Sequence, residues 1–231
     1  MVVKRRIRMK ASIIGATGAT GSDLLELLLG DGETESVEIF VRRSPEIKHD
    51  KLTVHLIDFD KPEQWSHLVK GDLLFSCLGT TLKDAGSKAA QWTVDHDYQY
   101  LFAKAARENG VGCCVLVSSV NASAKSPLFY ARMKGQLEED VRKLGFPRLI
   151  IFRPPSLIRK KSDRKMELAG IGVLRFFNRL GLFRSMQPMP TDLLAKAMLH
   201  AAKSVGGGEH ILEGKAIADA ATNASITDHT R

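Results

Sequence analysis

The chain has 231 residues, of which 44% are hydrophobic and 26% charged, and its formal net charge is +8. This length and composition allow a sizeable core, which excludes a disordered protein, and no apolar run reaches the roughly 18 residues of a membrane span. The three cysteines and seven histidines show no metal-ligand spacing, so we expect no metal and a reducing, cytoplasmic compartment.

The first ten residues form a basic leader, which we expect to be a disordered, solvated extension. A nuclear-localisation or phosphate-binding segment is the alternative. From residue 11 onward, short apolar runs alternate with helical patterns, which indicates parallel strands covered on both faces. The sequence therefore predicts a doubly wound α/β domain over residues 11–221. The apolar runs lie at residues 12–14, 37–41, 53–57, 72–77, 113–117 and 149–152, and the helical patterns between them at 22–29, 62–69, 89–109 and 129–143.

The alternation of strands and helices changes after residue 153. We expect residues 156–190 to form a small C-terminal cap beside the Rossmann-like sheet, and residues 222–231 to be a polar, frayed tail. The apolar segment 168–183 is assigned to core packing of this cap, and a substrate-pocket wall or an oligomer surface stays open. The remaining predicted elements are helices at residues 168–180 and 192–203 and a last strand at residues 209–212.

A glycine-rich loop, GATGATG, separates the first strand from the first helix. Its three glycines allow a tight turn and a close approach of the backbone to a pyrophosphate. The N–H groups and the positive dipole end of the following helix then bind that anion. In this strand–loop–helix context the motif predicts a dinucleotide site rather than a merely flexible turn. The predicted cofactor contacts of the loop are Gly15, Thr17, Gly18, Ala19, Thr20 and Gly21.

The end of the second strand predicts which dinucleotide binds. An NAD site places an acidic residue near this strand end to hold the ribose 2′-hydroxyl, whereas this strand ends in Val41, Arg42, Arg43 and Ser44. Two guanidinium groups suit a 2′-phosphate, with which they form charge-assisted hydrogen bonds. We therefore expect NADP(H), and a solvated arginine pair in a loop is the alternative.

Two further strand ends belong to the same crevice, because ligands of such sheets bind outside the carboxyl ends of the strands. Asp58 and Phe59 follow the third strand, and we expect them to border the adenine by a hydrogen bond and by ring packing. A turn role for Asp58 is the open alternative. Leu78, Gly79 and Thr80 follow the fourth strand, where the glycine lets the backbone pass close to the cofactor.

Tyr130 and Lys134 stand four residues apart at the start of a helix, so both project from one face. Lys134 can favour the ionised tyrosine electrostatically and bind the nicotinamide ribose, and Tyr130 can exchange a proton with a substrate carbonyl or alcohol. A serine at the end of the fifth strand can polarise the same substrate oxygen. Ser118 and Ser119 both lie at a suitable spacing.

Six segments, taken together, resemble one protein family. The combination resembles the short-chain dehydrogenase/reductase superfamily in its atypical NAD(P)-binding branch, closest to the group of the Tat-interacting oxidoreductase and its small bacterial relatives. The resemblance extends over residues 11 to about 200, nearly the whole chain. The matching segments are GATGATG at residues 15–21, VRRS at 41–44, CLGTT at 77–81, VSSVNAS at 117–123, FYARMKGQLE at 129–138 and FRPPSL at 152–157.

The resemblance implies a Rossmann-like fold with NADP(H) held by the glycine loop and the arginine pair. It also implies that Tyr130 is the proton donor or acceptor, that Lys134 contacts the ribose, and that Pro155 and Leu157 lie near the nicotinamide. Between the two serines we favour Ser118 as the third catalytic residue, because relatives of this branch can carry alanine at the second position. Many members of the superfamily carry an asparagine in the helix after the fourth strand. Asp95 is the nearest equivalent here, so this position departs from the family pattern.

The sequence therefore predicts an NADP-dependent oxidoreductase that transfers hydride to or from a carbonyl or hydroxyl group of an unidentified small molecule. An NADPH-sensing regulatory protein without turnover is the alternative. We expect no membrane partner. Nucleic acid is disfavoured as a partner, because the basic segment 159–165 lacks the interleaved aromatic residues of a base-stacking surface.

Overall fold

The described part of the chain, residues 8–158 and 188–228 of a computed structural model, is built on one parallel β-sheet. Its strands are β1 (Met9–Ile14), β2 (Thr34–Val41), β3 (Leu52–Leu56), β4 (Leu73–Ser76), β5 (Cys113–Val117), β6 (Arg148–Arg153), β7 (Leu157–Ile158), β8 (Met189–Pro190) and β9 (Gly208–Glu213). Seven of these strands form the sheet in the order β3-β2-β1-β4-β5-β6-β9, and the short strands β7 and β8 pair separately.

Helices connect the strands and cover both faces of the sheet. They are α1 (Ala19–Gly30), α2 (Pro62–Trp65), α3 (Leu82–Ala85), α4 (Lys88–Trp92), α5 (Tyr98–Glu108), α6 (Phe129–Lys143), α7 (Thr191–Ser204) and α8 (Lys215–Asp228). A π-helical turn, Thr93–Asp97, joins α4 to α5, and a short 3₁₀ turn, Ser66–Leu68, follows α2. Among the residues described, no helix combines the length and the hydropathy needed to cross a membrane.

The order of the strands reverses between β1 and β4, which confirms the predicted doubly wound α/β fold. Ile13 of β1 lies opposite Ile39 of β2 on one side and Phe75 of β4 on the other, and all of these pairings are parallel. The chain turns to opposite sides of the sheet after these two strands. A crevice therefore opens at their carboxyl ends, where a dinucleotide binds in folds of this order.

The core consists of two apolar layers, one on each face of the sheet. Alternate residues of a strand point to opposite faces, so neighbouring residues of β1 belong to different layers. Helices α1 and α7 cover the layer that contains Ile13, and helices α5 and α6 cover the layer that contains Ile14. Strands buried on both faces explain the continuous apolar runs that the sequence shows in place of an apolar–polar alternation.

Three features of the structure differ from the sequence predictions. Strand β1 begins at Met9, inside the predicted leader, and residues 1–7 lie outside the described part. The predicted tail is helical as far as Asp228, because α8 continues through Thr222 without a break. The cap predicted at residues 156–190, with its apolar segment, falls mostly on residues 159–187, which also lie outside the described part.

Helix α6 packs against the loop that follows β5 at a distance only glycine permits. A Cβ at Gly135 would lie 2.1 Å from the carbonyl carbon of Ser123 and 2.2 Å from the amide nitrogen of Ala124. The N–H of Ser123 also donates to the carbonyl of Ala131 in the preceding turn of the helix, at 3.0 Å. This contact fixes the helix that carries Tyr130 against the end of the sheet.

We expect Gly135→Ala to lower the free energy of unfolding by about 3 kcal/mol, because the added methyl group meets backbone that cannot move aside. Urea denaturation followed by circular dichroism measures the change. Gly30→Ala is the matched control, since a Cβ there has nothing within 4 Å and the residue ends a helix. Equal stabilities of the two variants would contradict the close packing at Gly135.

Candidate active site

The glycine loop makes two backbone contacts that exclude any side chain. Gly15 has φ +77°, and a Cβ there would lie 2.5 Å from the carbonyl carbon of Cys77 at the end of β4. A Cβ at Gly21 would lie 2.1 Å from the carbonyl oxygen of Gly15. The first glycine therefore joins the loop to β4, and the third seats helix α1 on the loop. Both are roles that the dinucleotide-binding motif assigns to its glycines.

The N-terminus of α1 faces a groove. Gly18 is the N-cap residue, no side chain caps it, and the first turn carries no acidic residue. The N–H groups of a first turn have no acceptor inside the helix, so they and the helix dipole attract an anion. A groove of about 620 Å³ begins at Thr17, Gly18 and Ala19 and runs along α1, past the carboxylates of Asp23 and Glu26, to Asp192 and Lys196 of α7. Thr20 and Gly21 are buried beneath it.

Arg42 and Arg43 are both exposed and directly follow β2, beside the carboxyl end of β1. The Arg42 charge acts on the hydroxyl of Tyr98, which donates a hydrogen bond to Asp60 at 2.5 Å. Burial and the Asp60 carboxylate raise the pKa of Tyr98 to about 12, against the opposing effect of Arg42. The sequence did not indicate Tyr98, because this residue begins helix α5 and is far along the chain from the strand end that its hydroxyl contacts.

The structure places Phe59 and Asp58, which follow β3, in different surroundings. The Phe59 ring is only 4% exposed and stacks on Tyr98, with ring centroids 5.1 Å apart, so it belongs to the core and offers no wall for an adenine. Asp58 accepts the N–H of Asp60 at 3.1 Å and pairs with Lys61 at 3.3 Å. These contacts lower the pKa of Asp58, and they fit the turn role that the sequence had left open.

A buried ion pair lies where α6 meets the π-helical turn. Lys134 and Asp95 are 3% and 1% exposed, and their Nζ and Oδ1 atoms are 3.3 Å apart. The other carboxylate oxygen of Asp95 accepts the N–H of Thr80 at 2.8 Å. Burial raises the pKa of Asp95, although Lys134 and Thr80 act in the opposite direction. A Cβ at Gly79 would lie 3.3 Å from Oδ1 of Asp95, so the segment after β4 passes directly over the pair.

The phenol of Tyr130 is accessible, unlike the lysine one turn further along the same helix. Tyr130 lies in the first turn of α6 with 42% of its surface exposed, whereas Lys134 is buried. Nearby, burial raises the pKa of the Cys77 thiol to about 12, against the opposing charge of Lys134. A thiol with such a pKa stays protonated at neutral pH and is a poor nucleophile. Of Tyr130, Lys134 and Cys77, only Tyr130 is exposed.

The structure gives Ser118 a partner other than Tyr130. Ser118 is 4% exposed, and its hydroxyl donates to Oε1 of Glu138 at 2.5 Å. Glu138 is itself 1% exposed and accepts two hydrogen bonds from Arg153, at 3.0 and 2.7 Å. The preference for Ser118 over Ser119 is therefore not supported, because the Ser118 proton belongs to a buried network. Sequence reasoning missed Glu138, although it continues the spacing of four residues from Tyr130 and Lys134.

The remaining predicted contacts lie at the same edge of the sheet. Leu78 is half-buried beside the glycine loop, because a Cβ at Gly15 would lie 2.6 Å from its amide nitrogen. Pro155 and Leu157 follow β6 and are half-buried, and Leu157 pairs with Met189 of β8. Within the described residues, no group of three or more histidine, cysteine, aspartate or glutamate side chains could hold a metal ion.

Comparison with known proteins agrees with this geometry. Residues 15–172 match the family described as NAD(P)H-binding. The chain belongs to the NAD(P)H-binding family. It is 35% identical over 160 residues to "Protein FMP52, mitochondrial" of Candida albicans, a match that covers 67% of this chain and 70% of that protein. The protein of the same name from Emericella nidulans is 33% identical over 211 residues, covering 86% and 89%.

Solved structures of low sequence identity share the fold of this chain. The enzyme WbmH of Bordetella bronchiseptica, in complex with NAD+, has a TM-score of 0.67 at 19% identity and covers 89% of this chain and 76% of its own. The predicted Rossmann-like fold and the superfamily resemblance are confirmed. The narrower likeness to the Tat-interacting group stays a prediction.

The predicted cytoplasmic compartment is wrong. Several curated relatives of this NAD(P)H-binding chain carry the word mitochondrial in their names. The prediction rested on three free cysteines, which are the cysteines the structure also shows without disulfides. Free thiols disfavour an oxidising compartment, but they do not distinguish between reducing compartments.

We expect Ser118→Ala to lower the free energy of unfolding by about 1.5–3 kcal/mol, because the buried Glu138 carboxylate loses a charge-assisted hydrogen bond. Ser119→Ala is the matched control and should change stability by less than about 0.5 kcal/mol. Thermal or urea unfolding of both variants measures the difference. A Ser118 variant as stable as the Ser119 variant would show that the hydroxyl is not part of the network.

Proposed function

We propose that this chain is an NADP(H)-dependent oxidoreductase that transfers hydride to or from a carbonyl or hydroxyl group of a small molecule. The observation that carries the proposal is a convergence at one edge of the sheet. There the glycine loop contacts the end of β4, and the segment after β4 contacts the Asp95–Lys134 pair. Helix α6, which carries Lys134, also carries the exposed Tyr130.

The residues present fit a nicotinamide dinucleotide. The cradle at Gly15 and Gly21 would be filled by any Cβ, and the uncapped N-terminus of α1 suits the pyrophosphate. Arg42 and Arg43 would hold the 2′-phosphate, which favours NADP(H) over NAD(H). A bound nicotinamide supplies or accepts the hydride.

Proton transfer falls to Tyr130 in this proposal. A hydride that adds to a carbonyl carbon leaves charge on the oxygen, and a phenol within hydrogen-bond reach neutralises that charge by donating its proton. Tyr130 has the exposure that such a role requires. Lys134, buried one turn further along the same helix, would contact the ribose.

One observation favours a second candidate, an NADPH-sensing regulatory protein without turnover. The cofactor cradle is intact, but two of the three predicted catalytic residues have other partners. Lys134 is paired with Asp95, and the Ser118 hydroxyl is bonded to Glu138. This arrangement is compatible with cofactor binding and is less suited to rapid proton transfer.

We further propose that the chain acts in mitochondria. The names of its relatives support this compartment. The composition of residues 1–10 also supports it, since this stretch has five basic and no acidic side chains and resembles the acid-poor composition of mitochondrial targeting segments.

The double variant Arg42→Ala/Arg43→Ala should bind NADPH about 10- to 100-fold more weakly, while its affinity for NADH changes little, because the charge-assisted bonds of this exposed pair to the 2′-phosphate together contribute roughly 1.5–3 kcal/mol. Fluorescence titration of both cofactors measures the difference. Arg107→Ala is the control, since its guanidinium donates to the carbonyl of Gly145 at the opposite edge of the sheet, 2.9 Å away. An equal loss for both cofactors would refute the assignment to the 2′-phosphate.

Tyr130→Phe should leave NADPH affinity within about twofold, since only a hydroxyl is lost, and should lower turnover by about 10²- to 10⁴-fold, the range for a missing general acid. A panel of quinones, aldehydes and ketones, assayed by the loss of NADPH absorbance, supplies the measurement. If the unmodified chain binds NADPH tightly but turns over no member of the panel, and Tyr130→Phe behaves in the same way, the enzyme proposal is refuted and the sensor is favoured.

A further inference from the structure

The carboxylate of Asp95 is fixed from several sides at the centre of the site. One oxygen faces Lys134 at 3.3 Å, and the other accepts the N–H of Thr80 at 2.8 Å. The carbonyl of the same residue accepts a hydrogen bond from the amide of Gln99 at 2.7 Å, and Gln99 in turn accepts the hydroxyl of Ser76 at the end of β4. The side chains of Ser76, Asp95, Gln99 and Lys134 are all buried. The carboxylate therefore cannot turn away from the lysine without breaking its hydrogen bond from Thr80, and the bond from Gln99 fixes the backbone that carries it.

We propose that Asp95 is a positioning residue that holds the Lys134 ammonium in a charge-neutral pair and so withholds the lysine's charge from Tyr130. The inference rests on the proposed function, since it concerns the proton-transfer group of that site. An asparagine at this position would keep a hydrogen-bonding oxygen toward the lysine but would not neutralise it. With aspartate at this position, the negative charge of the carboxylate offsets the positive charge of Lys134. With asparagine there, the full positive charge of Lys134 would act on Tyr130.

Burial is the reason that this neutralisation matters. Both members of the pair are almost completely removed from water, so solvent does not screen their charges as it does at the surface. A lone ammonium in this position would favour the tyrosinate of Tyr130, its neighbour one turn away. The adjacent carboxylate opposes that effect, and the pair acts on Tyr130 as a weak dipole instead of a full charge.

Other charged groups near this end of α6 have partners elsewhere. Lys88 of α4 lies over the Phe129 ring, 5.5 Å from its centroid, and Arg132 donates to the carbonyls of Ser126 and Pro127. On the inner side, Glu138 is paired with arginines, and the Cys77 thiol is neutral because burial raises its pKa. Among the residues described, Asp95 is the carboxylate in contact with Lys134.

The test is the ionisation of Tyr130 in the protein without cofactor or substrate. The chain has three tyrosines, so ultraviolet titration of each variant, minus the same titration in a Tyr130→Phe background, isolates this phenol. We expect Asp95→Asn to lower the ionisation midpoint of Tyr130 by about one pH unit, the low end of the effect of one nearby charge. Asp97→Asn is the control and should leave the midpoint unchanged, because Asp97 is bonded to His96.

A charge cycle keeps the proposal falsifiable if one variant folds poorly. Lys134→Met should raise the midpoint, since it leaves the Asp95 carboxylate without its cation. The double variant Asp95→Asn/Lys134→Met removes both charges and should titrate like the unmodified chain. An unchanged midpoint in Asp95→Asn, or a double variant that titrates like Lys134→Met, would overturn the proposal. The titration requires neither NADPH nor substrate. A failure of NADPH binding or turnover would therefore refute the proposed function and leave the result of the titration unaffected.

Discussion

The contact between the glycine loop and the end of β4 is the constraint on which the rest of the site depends. At Gly15 the two backbones are too close for any Cβ, so the end of β1 and the segment after β4 form one continuous surface. That segment, through Thr80, holds Asp95, which holds Lys134. The position of the lysine therefore follows from a backbone contact of a different strand, and the cofactor cradle and the polar pair are parts of one rigid unit.

Helix α6 carries three polar groups at intervals of four residues, and burial separates their roles. Tyr130 is exposed, whereas Lys134 and Glu138 are buried and each pairs with a group of opposite charge from another element. Breaking such a pair costs about 3–5 kcal/mol, because the remaining charge is left in the core. Two of the three groups thus fix the helix to neighbouring elements, and the third is exposed to solvent.

The sequence was sufficient to predict the elements that depend on local pattern. Strand β5 and helix α6 match their predicted bounds, and the glycine loop lies where the motif requires it. The partners of side chains could not be predicted in the same way. The burial of Phe59 and the bond from Ser118 to Glu138 depend on contacts between segments far apart in the chain. No single stretch of sequence encodes such contacts.

The distribution of charge at this edge of the sheet separates structural cations from those available to a ligand. Arg153 and Lys134 are positive groups close to the core, and each has a buried carboxylate as its partner. Arg42 and Arg43 are exposed, and within residues 8–158 and 188–228 no carboxylate is paired with either. The positive charge available to a ligand phosphate is therefore that of Arg42 and Arg43, at the end of β2. The net charge of the chain contributes little to this preference, because what an anion meets at close range is decided by local pairing.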